Sequence, residues 1–356
     1  MKSKIIECAL AGEFDLIAEI GVNYYDIAKK YEISPMEAAK LMIKEAKDAG
    51  IHAVKFQTYK ASTLAAKNSP SYWDTNEEAT TSQYELFKKF DSFSFNEYKE
   101  LAEYCKKLNI EFLSTAFDIE SADYLYDLMN VYKISSSDLT NLPFVEYLAK
   151  KGKSILLSIG ASDEDEIDRA LEVIKANNDQ PIVLLHCVLE YPTPYEHANL
   201  NRIITLKEKY LDLIIGYSDH TKPDYHVDVI KTAFNLGALV IEKHFTLDKT
   251  LPGNDHYHAM DPEDARKIID GIKFIKSIRG SYEIKHLESE TSSRQNARRS
   301  LVSSMDIKKG EVIVKEMLTF KRPGTGISPT EIDSLIGKKA KMDIQEDTIL
   351  QYDMFE

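Results

Sequence analysis

Between Leu16 and Arg279 the chain alternates eight times between a short, β-branched apolar run and a longer amphipathic stretch. That rhythm marks repeated strand–helix units built on a parallel sheet. The predicted strands are Leu16–Ile20, Ala53–Gln57, Glu111–Thr115, Val131–Ile134, Ser154–Ser158, Ile182–His186, Leu213–Tyr217 and Leu239–His244. Helical patterns between them include Ser34–Ala49, Asn96–Leu108 and Ser162–Ala176, the last opened by Ser162-Asp-Glu-Asp165, a cap that puts negative charge in the first turn. Eight such units match the size of an α/β fold of the (β/α)8 TIM-barrel type, roughly 250 residues. A doubly wound open sheet is the alternative. A barrel must assemble its site from the C-terminal ends of many strands, which gives a test.

Those ends read Glu19; Lys55 and Gln57; Thr115; Lys133 with Ser135-Ser136-Ser137; Ser158; His186; Ser218 with His220; Glu242 with His244. Polar strand ends alone mean only that loops follow. Here, however, lysines, glutamates and histidines sit among apolar flanks, as in Ala53-Val-Lys-Phe56 and Val240-Ile-Glu-Lys-His244. Charges in such surroundings are costly unless they face one another or a ligand.

His220 and His244 are the best metal candidates, because two imidazoles on adjacent strand ends can converge on a divalent ion; hydrogen-bonded histidines at the barrel mouth are the bland alternative. Glu242 and Asp255 are candidates for further ligands or for orienting groups. The tract Asp255-His256-Tyr257-His258 follows the turn signal Leu251-Pro-Gly-Asn254, so it is expected in a loop, at the surface or facing substrate. Lys55 and Lys133 suit anion binding, or a Schiff base for one of them. The hydroxyls of Ser135 to Ser137, Ser158 and Ser218 favour a phosphate or carboxylate cradle. Cys187 reads as a small buried hydrophobe rather than a nucleophile. The run Arg322-Pro-Gly-Thr-Gly326 lacks the features of a phosphate loop, although Arg322 suits carboxylate recognition.

After Gly280 the pattern changes, giving an expected barrel domain at 1–283, a polar linker at 284–297 and a small β-rich domain at 298–356 with short strands that include Ser300–Ser303, Val312–Lys315 and Ile344–Ile349. The last segment carries ten basic and ten acidic residues, so the net charge of −13 belongs to residues 1–297. That charge argues against nucleic acid or an anionic membrane surface as partner. No run of 18 apolar residues occurs, and Glu7 and Glu13 break the apolar stretch after Lys4, so neither a membrane span nor a secretion signal is expected. Cys8, Cys105 and Cys187 lie far apart with no paired spacing, which fits a cytoplasmic protein without disulfides.

Ile17-Ala-Glu-Ile-Gly-Val-Asn23, Val54-Lys-Phe-Gln-Thr58, Tyr132-Lys-Ile-Ser-Ser136, Leu185-His-Cys187 with Tyr191-Pro-Thr-Pro194, Gly216-Tyr-Ser-Asp-His220 and Glu242-Lys-His-Phe-Thr-Leu-Asp248 occur in one order. In this the chain resembles the sialic acid (N-acetylneuraminate) synthases and their legionaminate and pseudaminate relatives. Its end, with Asp306-Ile-Lys-Lys-Gly310 and Lys321-Arg-Pro-Gly-Thr-Gly326, resembles the antifreeze-like (SAF) domain that follows the barrel in that family.

The resemblance implies condensation of phosphoenolpyruvate with an N-acetylated hexosamine, release of phosphate, and a divalent metal, Mn2+ or Mg2+. It implies His220 and His244 as metal ligands. Lys55, Lys133, Ser136, Ser158 and Ser218 would bind phosphoenolpyruvate, with Gln57 and Thr115 nearby and Tyr191 among the substrate contacts. Glu19 would position water or sugar hydroxyls, while Glu242 and Asp255 would contact the sugar or move protons. It also implies a homodimer with swapped C-terminal domains, in which Arg322 reads the sugar's N-acyl group across the interface. Three stretches depart from the sialic acid synthase pattern: Leu189-Glu190 before Tyr191, His258 where a small residue is common, and Asn23-Tyr24-Tyr25-Asp26 in the first loop. All three are expected near the sugar, which brings in a modified hexosamine, such as a 2,4-diacetamido sugar, beside N-acetylmannosamine. A Schiff-base aldolase using Lys133 and a catalytically silent carbohydrate- or ice-binding scaffold are the competing classes.

Overall fold

Alternate residues of each strand face the same side, so eight strands that close on themselves sort their side chains into an interior and an exterior set. In the computed structural model, which describes residues 2–73, 75, 78–253 and 255–356, β1 (Asp15–Gly21), β2 (Ala53–Thr58), β3 (Glu111–Ala116), β4 (Val131–Ile134), β5 (Ser154–Ser158), β6 (Ile182–Cys187), β7 (Ile214–Asp219) and β8 (Val240–His244) pair in chain order. Every pair is parallel and β8 returns to β1, which excludes the open sheet. The largest boundary difference is at β7, which runs on through Asp219 because that residue pairs with Lys243 of β8.

The interior is layered. Ile17, Ala53, Leu113, Val131, Leu156, Val183, Leu185 and Val240 form one buried apolar cluster. Two residues further along these strands come Glu19, Lys55, Thr115, Lys133, Ser158, Cys187 and Glu242, all lining a cavity at the strands' C-terminal ends. Gly216 contributes no side chain to this interior. A Cβ there would lie 2.4 Å from Leu185 Cδ2 and 2.4 Å from Val240 O, so β7 fits between its neighbours only as glycine.

Residues of opposite parity, among them Leu16, Ala18, Val54, Phe56, Leu184 and Ile241, join the larger core under the helices. The expected helices form as Pro35–Asp48, Phe95–Leu108 and Glu164–Asn177, each entered through a reciprocal cap. At the first, Glu37 N–H donates to Ser34 Oγ (3.2 Å) and Ser34 N–H to Glu37 Oε2 (2.9 Å). Among the described residues no helix is long and apolar enough to cross a membrane.

The apolar stretch after Lys4 is a helix, Lys4–Leu10, whose Ile5, Ile6 and Ala9 cover the apolar layer of the barrel. Beside it Asp15 is buried and Glu111 half-buried. Glu111 Oε2 accepts the Ile5 N–H at 3.0 Å, whereas Glu111 Oε1 and Asp15 Oδ2 have no hydrogen-bond partner among the described residues. His52 does not neutralise Asp15, because its Nδ1, 3.7 Å away, already accepts the Leu16 N–H at 2.9 Å. Burial, with the charges of Glu111 and Glu13, pushes the Asp15 carboxyl up to about 7.

Residues Gly280–Glu356 form a separate unit with its own core of Leu301, Ile307, Ile313, Leu318, Ile327, Leu335, Ile344, Leu350 and Phe355. Only β9 (Ser300–Ser303) and β10 (Leu318–Lys321) form a ladder among its described residues. The strands expected at Val312–Lys315 and Ile344–Ile349 are reduced to single bridges, such as Val312 with Lys339 and Ile344 with Ile307. Positive-φ turns at Gly310, Gly337 and Asp347 reverse the chain too often for longer pairing. The segment expected as linker contains the helix Thr291–Ala297, whose Gln295 carbonyl accepts the Gly324 N–H at 2.8 Å.

An unfolded aspartate titrates near 4, so between about pH 4 and about pH 7 the folded state binds the extra proton at Asp15 and stability falls as pH rises. Asp15→Asn removes that slope. Its melting temperature, measured from pH 5 to pH 8, should fall less than that of the unaltered protein; parallel curves would show that Asp15 ionises freely.

Candidate active site

The layer of charged and hydroxyl side chains lines a cavity of about 430 Å³. Glu19, Lys55, Gln57, Thr115, Lys133, Ser136, Ser158, Tyr191, Ser218, His220, Glu242 and His244 all face it. An adjoining chamber of about 120 Å³ holds Asp255 with Asn23, Asp26 and His256, and shares Gln57, Tyr191 and His244 with the first. Arg322 belongs to the C-terminal unit, where it is exposed after β10.

The centre of the cavity is an ion network with almost no water access. Lys55 Nζ contacts Glu19 Oε2, donates to Thr115 Oγ1 at 2.9 Å and lies 3.7 Å from Glu242 Oε1. Lys133 Nζ lies 3.9 Å from the same Glu242 oxygen, which also accepts from Ser218 Oγ at 3.3 Å. Burial opposes the charge on Glu242, but Lys133 and Lys55 prevail and hold its carboxyl below the usual range. Burial also lowers the Lys133 ammonium from its ordinary value, whereas at Lys55 the opposing pull of Glu19 and Glu242 wins and the value rises. Glu19 is pushed up to about 7 by burial, despite Lys55 and a 2.9 Å hydrogen bond from Gln57 Nε2. The two carboxylates thus differ: Glu242 is held charged and Glu19 is poised to exchange a proton.

Hydroxyl donors surround the lysines. Ser136 Oγ accepts the Gly160 N–H at 2.8 Å and also meets the Cys187 thiol, which lines the same cavity. Ser158 Oγ has no partner among the described residues. Two ammonium groups with the hydroxyls of Ser136 and Ser158, the latter uncommitted, make a site for a compact anion.

The histidines form the opposite wall. His220 Nδ1 lies 2.8 Å from Val188 O and so carries the proton that this carbonyl accepts, which makes Nε2 the lone-pair atom whenever the ring is neutral. The His220 and His244 rings are 5.5 Å apart between centroids, with the Tyr191 ring 4.1 Å from His220 and tilted 37° to it. Among the described residues, metal-capable atoms of His244, Asp255 and His258 lie within 4.8 Å of one another; His220 stands outside this group. Burial depresses the affinity of His244 and His258 for protons, so both present neutral imidazoles. Orphaned, neutral imidazole nitrogens beside a carboxylate fit a divalent ion.

Some expectations change. The tract Asp255–His258 lies in a turn, as expected, and Asp255 and His256 line the smaller chamber, but it is not at the surface: His256 is 1% and His258 0% exposed. Phe245 pairs with Met260, and Asn23 Nδ2 donates to Phe245 O and Asp255 O, both at 3.2 Å, so the segment is folded back onto β8. Its preceding turn is described through Gly253, since Asn254 lies outside the described residues. Of the first-loop run, Asn23 and Asp26 line the smaller chamber, whereas Tyr24 stacks on Phe93 and Tyr25 away from the cavities. Leu189 lines the main cavity, but Glu190 is exposed and pairs with His197. His186 has exterior parity on β6; its Nε2 meets Ala198 O at 2.8 Å and its ring stacks on Tyr217. The segment between β2 and the helix Phe95–Leu108 was not anticipated as part of the site, yet Leu64, Tyr72, Gln83 and Phe87 line the main cavity and Trp73 the smaller one.

The sequence model of the NeuB family matches residues 42–284, and that of the SAF domain matches residues 298–356. The chain belongs to the NeuB family. It is 39% identical over 344 residues to the N,N'-diacetyllegionaminic acid synthase of Campylobacter jejuni, covering 94% of this chain and 98% of that one. With the enzyme of the same name from Legionella pneumophila the identity is 37% over 348 residues, covering 96% and 94%. The crystal structure of an N-acetylneuraminic acid (sialic acid) synthetase from Leptospira borgpetersenii in complex with citrate superposes with a TM-score of 0.67 at 33% identity, covering 79% of this chain and 90% of that one.

In this NeuB-family barrel Glu242 contacts two buried lysines, and Glu242→Gln would leave Lys133 without a carboxylate while Lys55 keeps Glu19. Losing one partner of such a network costs about 3–5 kcal/mol. Thermal melts should show that loss, with inorganic phosphate recovering more stability in the variant than in the unaltered protein. An unchanged melting temperature would mean that one lysine is uncharged.

Proposed function

We propose that the chain condenses phosphoenolpyruvate with an N-acetylated hexosamine, releases phosphate and forms a nine-carbon 3-deoxy-2-keto acid. The observation that carries this reading is the pair Lys55 and Lys133 sharing one carboxylate oxygen in a cavity that the hydroxyl of Ser136 and the unpartnered hydroxyl of Ser158 also line. Such a cradle matches the phosphate and carboxylate of one small substrate. The relatives that make N,N'-diacetyllegionaminic acid, together with Leu189 in place of a hydrogen-bonding side chain, favour a 2,4-diacetamido hexose as the sugar.

Lys55, Lys133, Ser136, Ser158 and Ser218 hold phosphoenolpyruvate, with Thr115 and Gln57 fixing Lys55 and Glu19 behind it. Tyr191, between the two chambers, contacts the substrates, and Asp255 meets the sugar in the smaller one. His220 and His244 hold the divalent ion, Mn2+ or Mg2+ being the family's choice. When bound, the ion supplies Lewis-acid polarisation of the open-chain aldehyde.

The electron pair of the enol double bond then forms the new bond from C3 to the aldehyde carbon, whose oxygen takes a proton. Water adds at the electron-poor C2 and gives up one proton, and the C–O bond to the phosphorus-bound oxygen breaks with its electron pair leaving on phosphate, which takes up the remaining hydroxyl proton as the ketone forms. Glu19, with its carboxyl near 7, places the water or a sugar hydroxyl and exchanges a proton; Glu242 stays ionised and balances the lysines as phosphate departs. We assign Arg322 to the sugar's N-acyl group in the neighbouring subunit of a domain-swapped homodimer, so that each site is completed by its partner.

A Schiff base on Lys133 is the second reading, favoured by the burial that lowers its ammonium. Borohydride trapping with pyruvate would label the protein under that reading and leaves it unlabelled under the synthase reading. Phosphate release should require phosphoenolpyruvate, an amino sugar and a divalent ion together, be fastest with the 2,4-diacetamido hexose, and vanish in folded His220→Ala and His244→Ala. For Arg322→Ala the expected result is normal folding with a raised KM for the sugar alone. Turnover without metal or sugar would refute the reading.

A further inference from the structure

His258 has no task in the reaction as described. It is 0% exposed, and neither ring nitrogen has a hydrogen-bond partner among the described residues. Buried polar groups are nearly always paired, because a dry, unpaired nitrogen costs desolvation that an aliphatic side chain of similar size would avoid. The ring neighbours offer no obvious relief: Tyr191 and His244 lie 5.6 and 4.8 Å away between centroids.

What His258 does face is other electron-pair donors. One nitrogen of His244, one carboxylate oxygen of Asp255 and one nitrogen of His258 lie within 4.8 Å of one another, and His244 Nδ1 is also unpartnered. Three lone-pair atoms directed together repel one another unless a cation lies between them. Donors bound to one ion at about 2.1 Å are at most about 4.2 Å apart, so small side-chain rotations bring this group to bonding distance.

We propose that His258 is a direct ligand of the divalent ion, together with His244 and Asp255, and that this chain therefore selects a first-row transition ion over Mg2+. The inference rests on the metal-dependent reading above and goes beyond it. Imidazole donors suit Mn2+, Fe2+, Co2+ and Zn2+, whereas Mg2+ demands oxygen ligands in near-octahedral array. The added imidazole does not replace His220, whose ring centroid lies 5.5 Å from that of His244 and 6.2 Å from that of His258.

The test uses metal-free, full-length protein titrated with Co2+ alone and followed by visible absorption, with excess Mg2+ as competitor. The unaltered protein should bind Co2+ and resist Mg2+. Because even outer partners of metal ligands are worth about 10–100-fold in affinity, His258→Ala and the volume-preserving His258→Leu should each weaken Co2+ binding at least about tenfold and alter the absorption bands. Should both variants unfold, anomalous diffraction at the cobalt edge on the unaltered protein decides, a peak at about 2.1 Å from a His258 nitrogen being expected. A peak bonded to His220 and His244 alone, or a folded variant with unchanged affinity and spectrum, overturns the inference while metal-dependent phosphate release stands. No Co2+ binding by the unaltered protein, with phosphate release independent of metal, overturns both readings.

Discussion

Glu242 Oε1 lies between Lys55 and Lys133, at 3.7 and 3.9 Å, at the top of a barrel whose next layer down is hydrocarbon. Two ammonium groups in a low-dielectric interior repel each other strongly, and each loses its hydration. The carboxylate makes their coexistence possible before any substrate arrives, and Thr115, Ser218 and Glu19 supply the remaining contacts. Everything proposed for the site depends on this arrangement. An entering dianion meets two lysines already fixed in place, so little reorganisation is left for the moment of reaction.

The same alternation along the strands separates chemistry from support. Ser218 and His220 face the cavity, while Asp219 between them turns outward, pairs with buried Lys243 and accepts from Tyr217 OH at 2.9 Å. Glu242 and His244 likewise face inward on either side of Lys243. The motif residues thus divide by parity: one set meets ligands, the other locks β7 to β8 from outside. Charges of the second set are fully paired, which is why a run as polar as Ser218-Asp-His220 tolerates burial.

Much of this was legible in the sequence, because strand-forming runs ending in charged residues are local signals. The eight strands, their closure and the inward-facing residues from Glu19 to His244 follow from spacing and from the cost of burying unpaired charge. What was not legible depends on contacts between distant segments. Asn23 clamps the chain at Asp255, 232 residues away, and that clamp, with the Phe245–Met260 pairing and the bond between Thr246 and His256, makes His256 and His258 part of a buried wall. The stretch between β2 and the next helix reaches the site through Tyr72, Trp73 and Phe87, which read locally as ordinary apolar residues. His186 was misplaced for a reason that was available: counting by twos from Val183 and Leu185 puts Cys187 inside and His186 outside. In the C-terminal unit, closely spaced turns replaced expected strands with single bridges, since pairing there is set by the small core rather than by strand propensity.

The central claim is that the cradle around Lys55 and Lys133 stabilises departure of phosphate from C2 by C–O cleavage. The most direct measurement follows oxygen-18 placed in the bridge between carbon and phosphorus of phosphoenolpyruvate, by phosphorus NMR of the phosphate released in the presence of the sugar and the metal. The account predicts that the released phosphate carries the label. Label retained in the keto acid, with unlabelled phosphate, would mean that the P–O bond breaks instead, and would contradict it.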